Sequence, residues 1–214
     1  MIQFNSFAGG RPLRAVKTKI NWDYKKPNGL FEMLIGPGAT ASEILLYLLA
    51  AAGSGIAIVL SNVMLRDIKW TYFQNLSAFL LAWSLAGGIV ALNTSSAKRY
   101  WNSYREEGLK MLFKSKPLIV LLHLVLPLIV VLMFRPGDWN YFTLISLYLV
   151  AGAAILLLLP LYLKRPVAIA LSLAGYFAEI SLFEAVLGIE WFAVLLFLKI
   201  FNGLMVQEEP YRPA

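Results

Sequence analysis

Cysteine is absent from this sequence of 214 residues, which excludes disulfides, thiolate nucleophiles, Cys-ligated metal and iron–sulfur clusters. A single histidine, His123, excludes a bis-histidine haem within one chain. Charge is scarce too. Asp, Glu, Lys and Arg make up 14% of the residues, where a soluble domain carries roughly a quarter. Also missing are a phosphate-binding P-loop, a dinucleotide glycine fingerprint, an H-E-x-x-H pair and a nucleophile beside a base. No cofactor, no metal and no catalytic residue is therefore expected.

What is present is apolar. Hydrophobic residues make up 59% of the chain, and the mean hydropathy is +0.69. Long uncharged runs do not fit the interior of so small a soluble domain, and about 20 apolar residues span ~30 Å of hydrocarbon as a helix. The sequence reads as an all-α integral membrane protein with six transmembrane helices arranged as three αα-hairpins. The spans are Ala41 to Leu65, Thr71 to Thr94, Leu118 to Phe134 with Pro127 inside, Tyr141 to Leu163 with Pro160 inside, Val167 to Leu187, and Trp191 to Val206. Residues 1–40 read as a basic cytoplasmic arm, 41–206 as the transmembrane domain, and 207–214 as a cytoplasmic tail.

Lys and Arg set the orientation. Fifteen lie in the N-terminal arm, the 97–117 loop, the Lys164–Arg165 turn and the tail, against Arg66, Lys69 and Arg135 on the other side. The positive-inside rule then places both termini in the cytoplasm. The formal charge of +7 lies in blocks between apolar runs, so it signals orientation and not nucleic acid. Residues 98–116 have the spacing of an interfacial amphipathic helix, with Trp101 and Tyr104 on one face and basic residues reaching anionic headgroups. Trp70, Trp139 and Trp191 mark the outer interface. The pattern R-x-x-x-W-x-Y-F occurs at Arg66 to Phe73 and again at Arg135 to Phe142. An internal repeat and a shared interfacial preference both account for it.

Local chemistry is legible at two kinds of position. Thr40 and Glu43 have the spacing of a capping box at the start of the first span. AAAGSG (Ala50 to Gly55) and SLAGG (Ser84 to Gly88) put small residues where helices can approach closely.

The stretch GYFAEISLFEAVLGIEW, Gly175 to Trp191, carries three acids inside an apolar run. With a tight turn near Gly188, position 179 falls level with position 199, each about eight residues or ~12 Å below the outer end. A charge at that depth costs at least ~2.5–3.5 kcal/mol, so Glu179 and Lys199 are expected to pair, with His123 as a third member of the midplane site. Glu184, on another face, is expected to reach the outer interface or line a vestibule, and Glu190 to sit at the start of the last helix.

The function read from this pattern is a small transporter, or a transporter's membrane subunit, coupled to a proton or ion. The alternative is a non-catalytic structural or assembly subunit of a larger membrane complex. A lipid-modifying enzyme using Asn93, Lys98, Arg99 and Tyr104 ranks third. Expected partners are the bilayer and its anionic headgroups, with a homo-oligomer or a membrane-complex partner and no nucleic acid. The expected location is a bacterial-type inner (cytoplasmic) or other energy-coupling membrane.

Overall fold

In the computed structural model, which describes residues 27–66, 68–102 and 115–207, every regular element is helical. Helix α1 (Leu30–Ile35) is short, and α2 (Ala41–Leu60) continues through a π-helical turn, Ser61–Leu65. Then follow α3 (Tyr72–Asn93), α4 (Ser95–Asn102), α5 (Lys116–Leu122), α6 (Val125–Phe134), α7 (Trp139–Leu158) and α8 (Leu161–Leu182). The last helix, α9 (Phe192–Phe197), runs on through π-helical turns over Leu198–Met205.

Five helical segments are long and apolar enough to cross a membrane: Ala41–Leu65, Tyr72–Asn93, Lys116–Phe134, Trp139–Leu158 and Leu161–Leu182. Their outward faces carry Leu45, Leu49, Ile56, Leu80, Leu147 and Leu158, all exposed. Apolar surface of that extent is stable in lipid and a liability in water. This is a membrane protein.

Helix starts follow the local rules. Thr40 Oγ1 accepts from the Glu43 amide at 3.2 Å, and Glu43 Oε2 accepts from the Thr40 amide at 2.8 Å, which completes the box read from sequence. Thr71 and Gln74 build a second box at the start of α3. Glu43 also reaches across to α4, where Ser96 Oγ donates to Oε2 at 2.8 Å. Because it holds two elements, Glu43→Ala should lower stability by about 2 kcal/mol, against about 1 kcal/mol for Thr40→Ala. Thermal unfolding of the two variants in detergent checks this; equal losses would remove the cross-link from the account.

The small-residue faces pack as read. A Cβ on Gly87 would lie 2.6 Å from the Ala51 Cβ, and one on Gly55 would lie 2.8 Å from the Phe79 ring. Helices α2 and α3 therefore approach closely and form an antiparallel pair. The last helix is buried on all sides, with Phe192, Phe197, Ile200 and Phe201 at 0% exposure. The Phe197 and Phe201 rings stack at 5.6 Å, and Tyr148 closes on Phe197 at 5.0 Å. A helix buried along its whole length belongs at the centre of a bundle, and this one packs against α3, α7 and α8.

Contacts at its two ends show how it runs. Just before α9, Glu190 pairs with Arg66 at 2.7 Å, and Gly188 lies against Asn62, so α9 begins beside the end of α2. After Met205, the Val206 carbonyl accepts from Lys98 Nζ at 2.7 Å, so the helix finishes beside α4. The bundle thus has an Arg66 end and a Lys98 end.

Several expectations are corrected. The fourth and fifth spans do not meet at Lys164–Arg165 but at Leu159–Pro160, both extended. Proline fixes its own φ, lacks an N–H and disfavours helix in the residue before it, so Pro160 sets the boundary and Lys164 and Arg165 lie inside α8. At its other end α8 stops at Leu182, five residues before the expected Leu187. Phe183 is extended and docks edge-on against Tyr141 at 5.0 Å, while Arg135 donates to the Glu184 carbonyl. The third span is interrupted at His123–Leu124, between α5 and α6, one turn before Pro127. In the expected basic arm, residues 1–26 lie outside the described residues, but Ile35 is 1% exposed, so α1 packs against the bundle. The tail from residue 208 onward also lies outside them.

Candidate functional site

A cavity of about 420 Å³ opens between α1, α2, α3, α4, α5 and the last helix. Its walls are Met33, Leu34, Tyr47, Trp83, Gly88, Ala91, Leu92, Trp101, Ile119, Leu122 and Leu204, and its polar side chains include Ser84, His123 and Lys199. Met33, Leu92, Trp101 and Leu204 lie toward the Lys98 end, so the cavity reaches from that end to mid-bundle.

Lys199 sits midway along Phe192–Met205 and is 8% exposed. Its Nζ donates to Ser84 Oγ at 3.1 Å, and among the described residues it has no carboxylate partner. Gly88, one turn on from Ser84, makes room for the side chain: a Cβ there would lie 2.5 Å from Lys199 Cε.

His123 lines the same cavity at the break between α5 and α6. Pro127 supplies no N–H to the His123 carbonyl, which instead accepts from the Leu126 amide at 3.0 Å, in a tightened turn. The ring's Nδ1 lies 2.7 Å from the Ile119 carbonyl. A carbonyl only accepts, so Nδ1 is the donor and Nε2 of the neutral ring is an acceptor, with no partner among the described residues.

Glu179 stands apart from both. It lies in the last turn of α8, at the Arg66 end, and Tyr141 Oη donates to its Oε1 at 2.8 Å. Its Oε2 is buried and has no partner among the described residues. Around it, Arg135 lies 4.3 Å over the Tyr141 ring and pairs with Asp138 at 3.0 Å. The expected Glu179–Lys199 pair is therefore not formed. The reason is depth: with α8 ending at Leu182, Glu179 is one turn from the end of its helix while Lys199 is midway along its own. Of the three expected site residues, the structure brings Lys199 and His123 together and leaves Glu179 in a second cluster.

Glu184 is exposed and lines a small recess with Glu179, Arg135 and Tyr141. Glu190 precedes α9, where its carboxylate accepts from Arg66 and from the Gly188 amide at 2.9 Å. The tryptophans differ among themselves. Trp139 is 53% exposed, but Trp70 packs on Phe134 at 5.0 Å and Trp191 donates to the Gly188 carbonyl at 2.9 Å. Trp101 is a cavity wall, and Tyr104 lies outside the described residues with the rest of 103–114. The two R-x-x-x-W-x-Y-F segments do different work: Tyr72 is exposed and its counterpart Tyr141 is 1% exposed.

Two basic residues are reversed, Lys98 and Arg99, the latter 2% exposed. Lys98, expected to face headgroups, is 3% exposed and donates to the Gly203 and Val206 carbonyls. Sequence reasoning also missed Ser84, Arg135 and Tyr141. Ser84 and Gly88 share a face at i, i+4, a signal that pointed only to packing. Tyr141 meets Glu179 across 38 residues, which no local pattern announces. Among the described residues no group of three or more His, Asp or Glu that could hold a metal ion is formed. No protein-family model, no curated protein and no solved structure matches this chain.

Proposed function

We propose that the chain is a small membrane transporter, or the membrane subunit of one, working by alternating access around Lys199. In this reading Phe192–Met205 is a sixth crossing, and both termini lie on the cytoplasmic side, the Lys98 end. The observation that carries the proposal is an asymmetry. A 420 Å³ cavity reaches Lys199 from the Lys98 end, while the Arg66 end is tied shut by Arg66–Glu190, Asn62 to the Gly188 carbonyl, and Arg135 to the Glu184 carbonyl. A binding site at mid-depth, open to one side and closed by polar ties on the other, is what one state of a transporter requires. Glu179, in the closed cluster with a buried Oε2 that has no partner among the described residues, is the group where a proton or cation would couple.

The absence of cysteine makes a clean test available. Ser84→Cys should react with a membrane-impermeant maleimide from the cytoplasmic side of inverted vesicles and slowly from the outside of right-side-out ones. Adding Arg66→Gln with Glu190→Gln should raise outside labelling about fivefold, matching the ~1 kcal/mol that a part-exposed ion pair contributes at most. Labelling that is equal from both sides, or indifferent to the Arg66–Glu190 pair, would overturn the proposal. A non-catalytic subunit of a larger membrane complex is the second reading, favoured by α2, which buries little beyond Ala51 and Gly55. That reading expects one-sided labelling that is indifferent to the Arg66–Glu190 pair.

A further inference from the structure

Resting on the reading of this cavity as a substrate site, we infer that its ligand is a hydroxylated aromatic monocarboxylate. The charge comes first. Lys199 brings one buried ammonium, with one of its three N–H bonds placed on Ser84 Oγ. An isolated buried cation is costly, and an incoming anion supplies the missing partner. One cation suits one negative charge. Among the described residues no arginine fork and no second lysine lines the wall, so a phosphate would carry in charge that none of them neutralises.

His123 adds a directional requirement. Its Nδ1 is committed to the Ile119 carbonyl, so Nε2 presents a lone pair to whatever fills the cavity. A ligand that satisfies it must donate, and a hydroxyl does so without adding charge. The remaining walls set the body of the molecule. Trp83, Trp101, Tyr47, Leu92 and Leu122 are all part of the lining. Flat aromatic surface against such walls gains both area and ring-to-ring contact. The 420 Å³ volume falls within the ~300–1,000 Å³ range of small-molecule sites.

The test uses 4-hydroxybenzoate as probe on the purified full chain, read by calorimetry and by quenching of tryptophan fluorescence, which Trp101→Phe should diminish. Binding should be saturable, and weaker by about tenfold or more for 4-hydroxybenzyl alcohol, which keeps ring and hydroxyl but lacks the carboxylate. Benzoate, without the hydroxyl, should fall between them. Lys199→Met should lose about tenfold or more for the acid and little for the alcohol. The acid–alcohol comparison on the unmodified protein stands even if that variant does not fold. Equal binding of acid and alcohol, no binding of either, or a preference for dodecanoate arriving from the lipid phase would each overturn the assignment. Its failure is separable from that of the transport reading. Binding without uptake of labelled 4-hydroxybenzoate into proteoliposomes supports the ligand class and counts against transport. Absent binding with side-dependent labelling of Ser84→Cys overturns the ligand class alone.

Discussion

Gly36→Ala is expected to destabilise the protein by about 3–5 kcal/mol, from two independent causes. Gly36 holds φ at +95°, in the left-handed region where a Cβ meets the following carbonyl. An added Cβ would also lie 2.2 Å from the carbonyl carbon of Ser96 and 2.3 Å from the amide nitrogen of Ala97. Those are backbone atoms of α4, which is itself held by Glu43 and by the Thr94 hydroxyl, so they cannot swing aside like the end of a side chain. Strain alone costs roughly 1–3 kcal/mol and overpacking about the same again. The consequence reaches the cavity, because α1 carries Met33 and Leu34 into its wall. Gly53→Ala is the control. That glycine sits on the open face of α2, where an added methyl would meet nothing within 4 Å, and alanine there should stabilise by about 0.5–1 kcal/mol. Thermal unfolding in one detergent compares the two. A Gly36→Ala protein within ~0.5 kcal/mol of the parent would sink the account of α1 as a packed wall.

Lys98→Met is expected to cost about 3 kcal/mol and to loosen the end of the last helix. A helix leaves its final carbonyls without intrahelical donors, and here they are buried. Lys98 Nζ meets that need at 2.9 Å to Gly203 and 2.7 Å to Val206, with Asn202 at 3.5 Å. Charge-assisted hydrogen bonds contribute ~1.5–3 kcal/mol each, and their loss strands buried acceptors. The π-helical turns over Leu198–Met205 begin one residue before Lys199, so fraying from Val206 would reach the cavity wall at Leu204 first. Unfolding midpoints and hydrogen exchange of residues 200–206 check this. A headgroup-facing lysine would instead cost under ~0.5 kcal/mol and show up only as weaker attachment to anionic vesicles.

That contrast marks how far the sequence could be read. Lys98 follows Ser96 and Ala97 at a position where an amphipathic pattern sends lysine outward, and no local rule says that the end of a distant helix needs a donor there. Periodicity points to headgroup contact, and the fold reverses it. The same holds for Glu179 and Lys199. Counting from an assumed hairpin brings them level, but α8 ends where Phe183 docks on Tyr141 and Arg135 takes up the Glu184 carbonyl, contacts between segments far apart in the chain.

What the sequence by itself determined is the part of the molecule that depends on short range and on solvent. Apolar runs specify helices in lipid because the backbone has no other way to satisfy its hydrogen bonds there. Thr40 and Glu43 specify a helix start because both partners lie within one turn. Small residues at Gly55 and Gly87 specify a close helix pair because little else fills that face. Only the tertiary structure decided where helices stop inside an unbroken apolar run, and which buried polar groups meet. Hydropathy is silent on the first, since an extended segment and a helical one can be equally apolar. It is silent on the second because a buried lysine takes its partner from whichever helix packs beside it, and here that was Ser84 in place of Glu179.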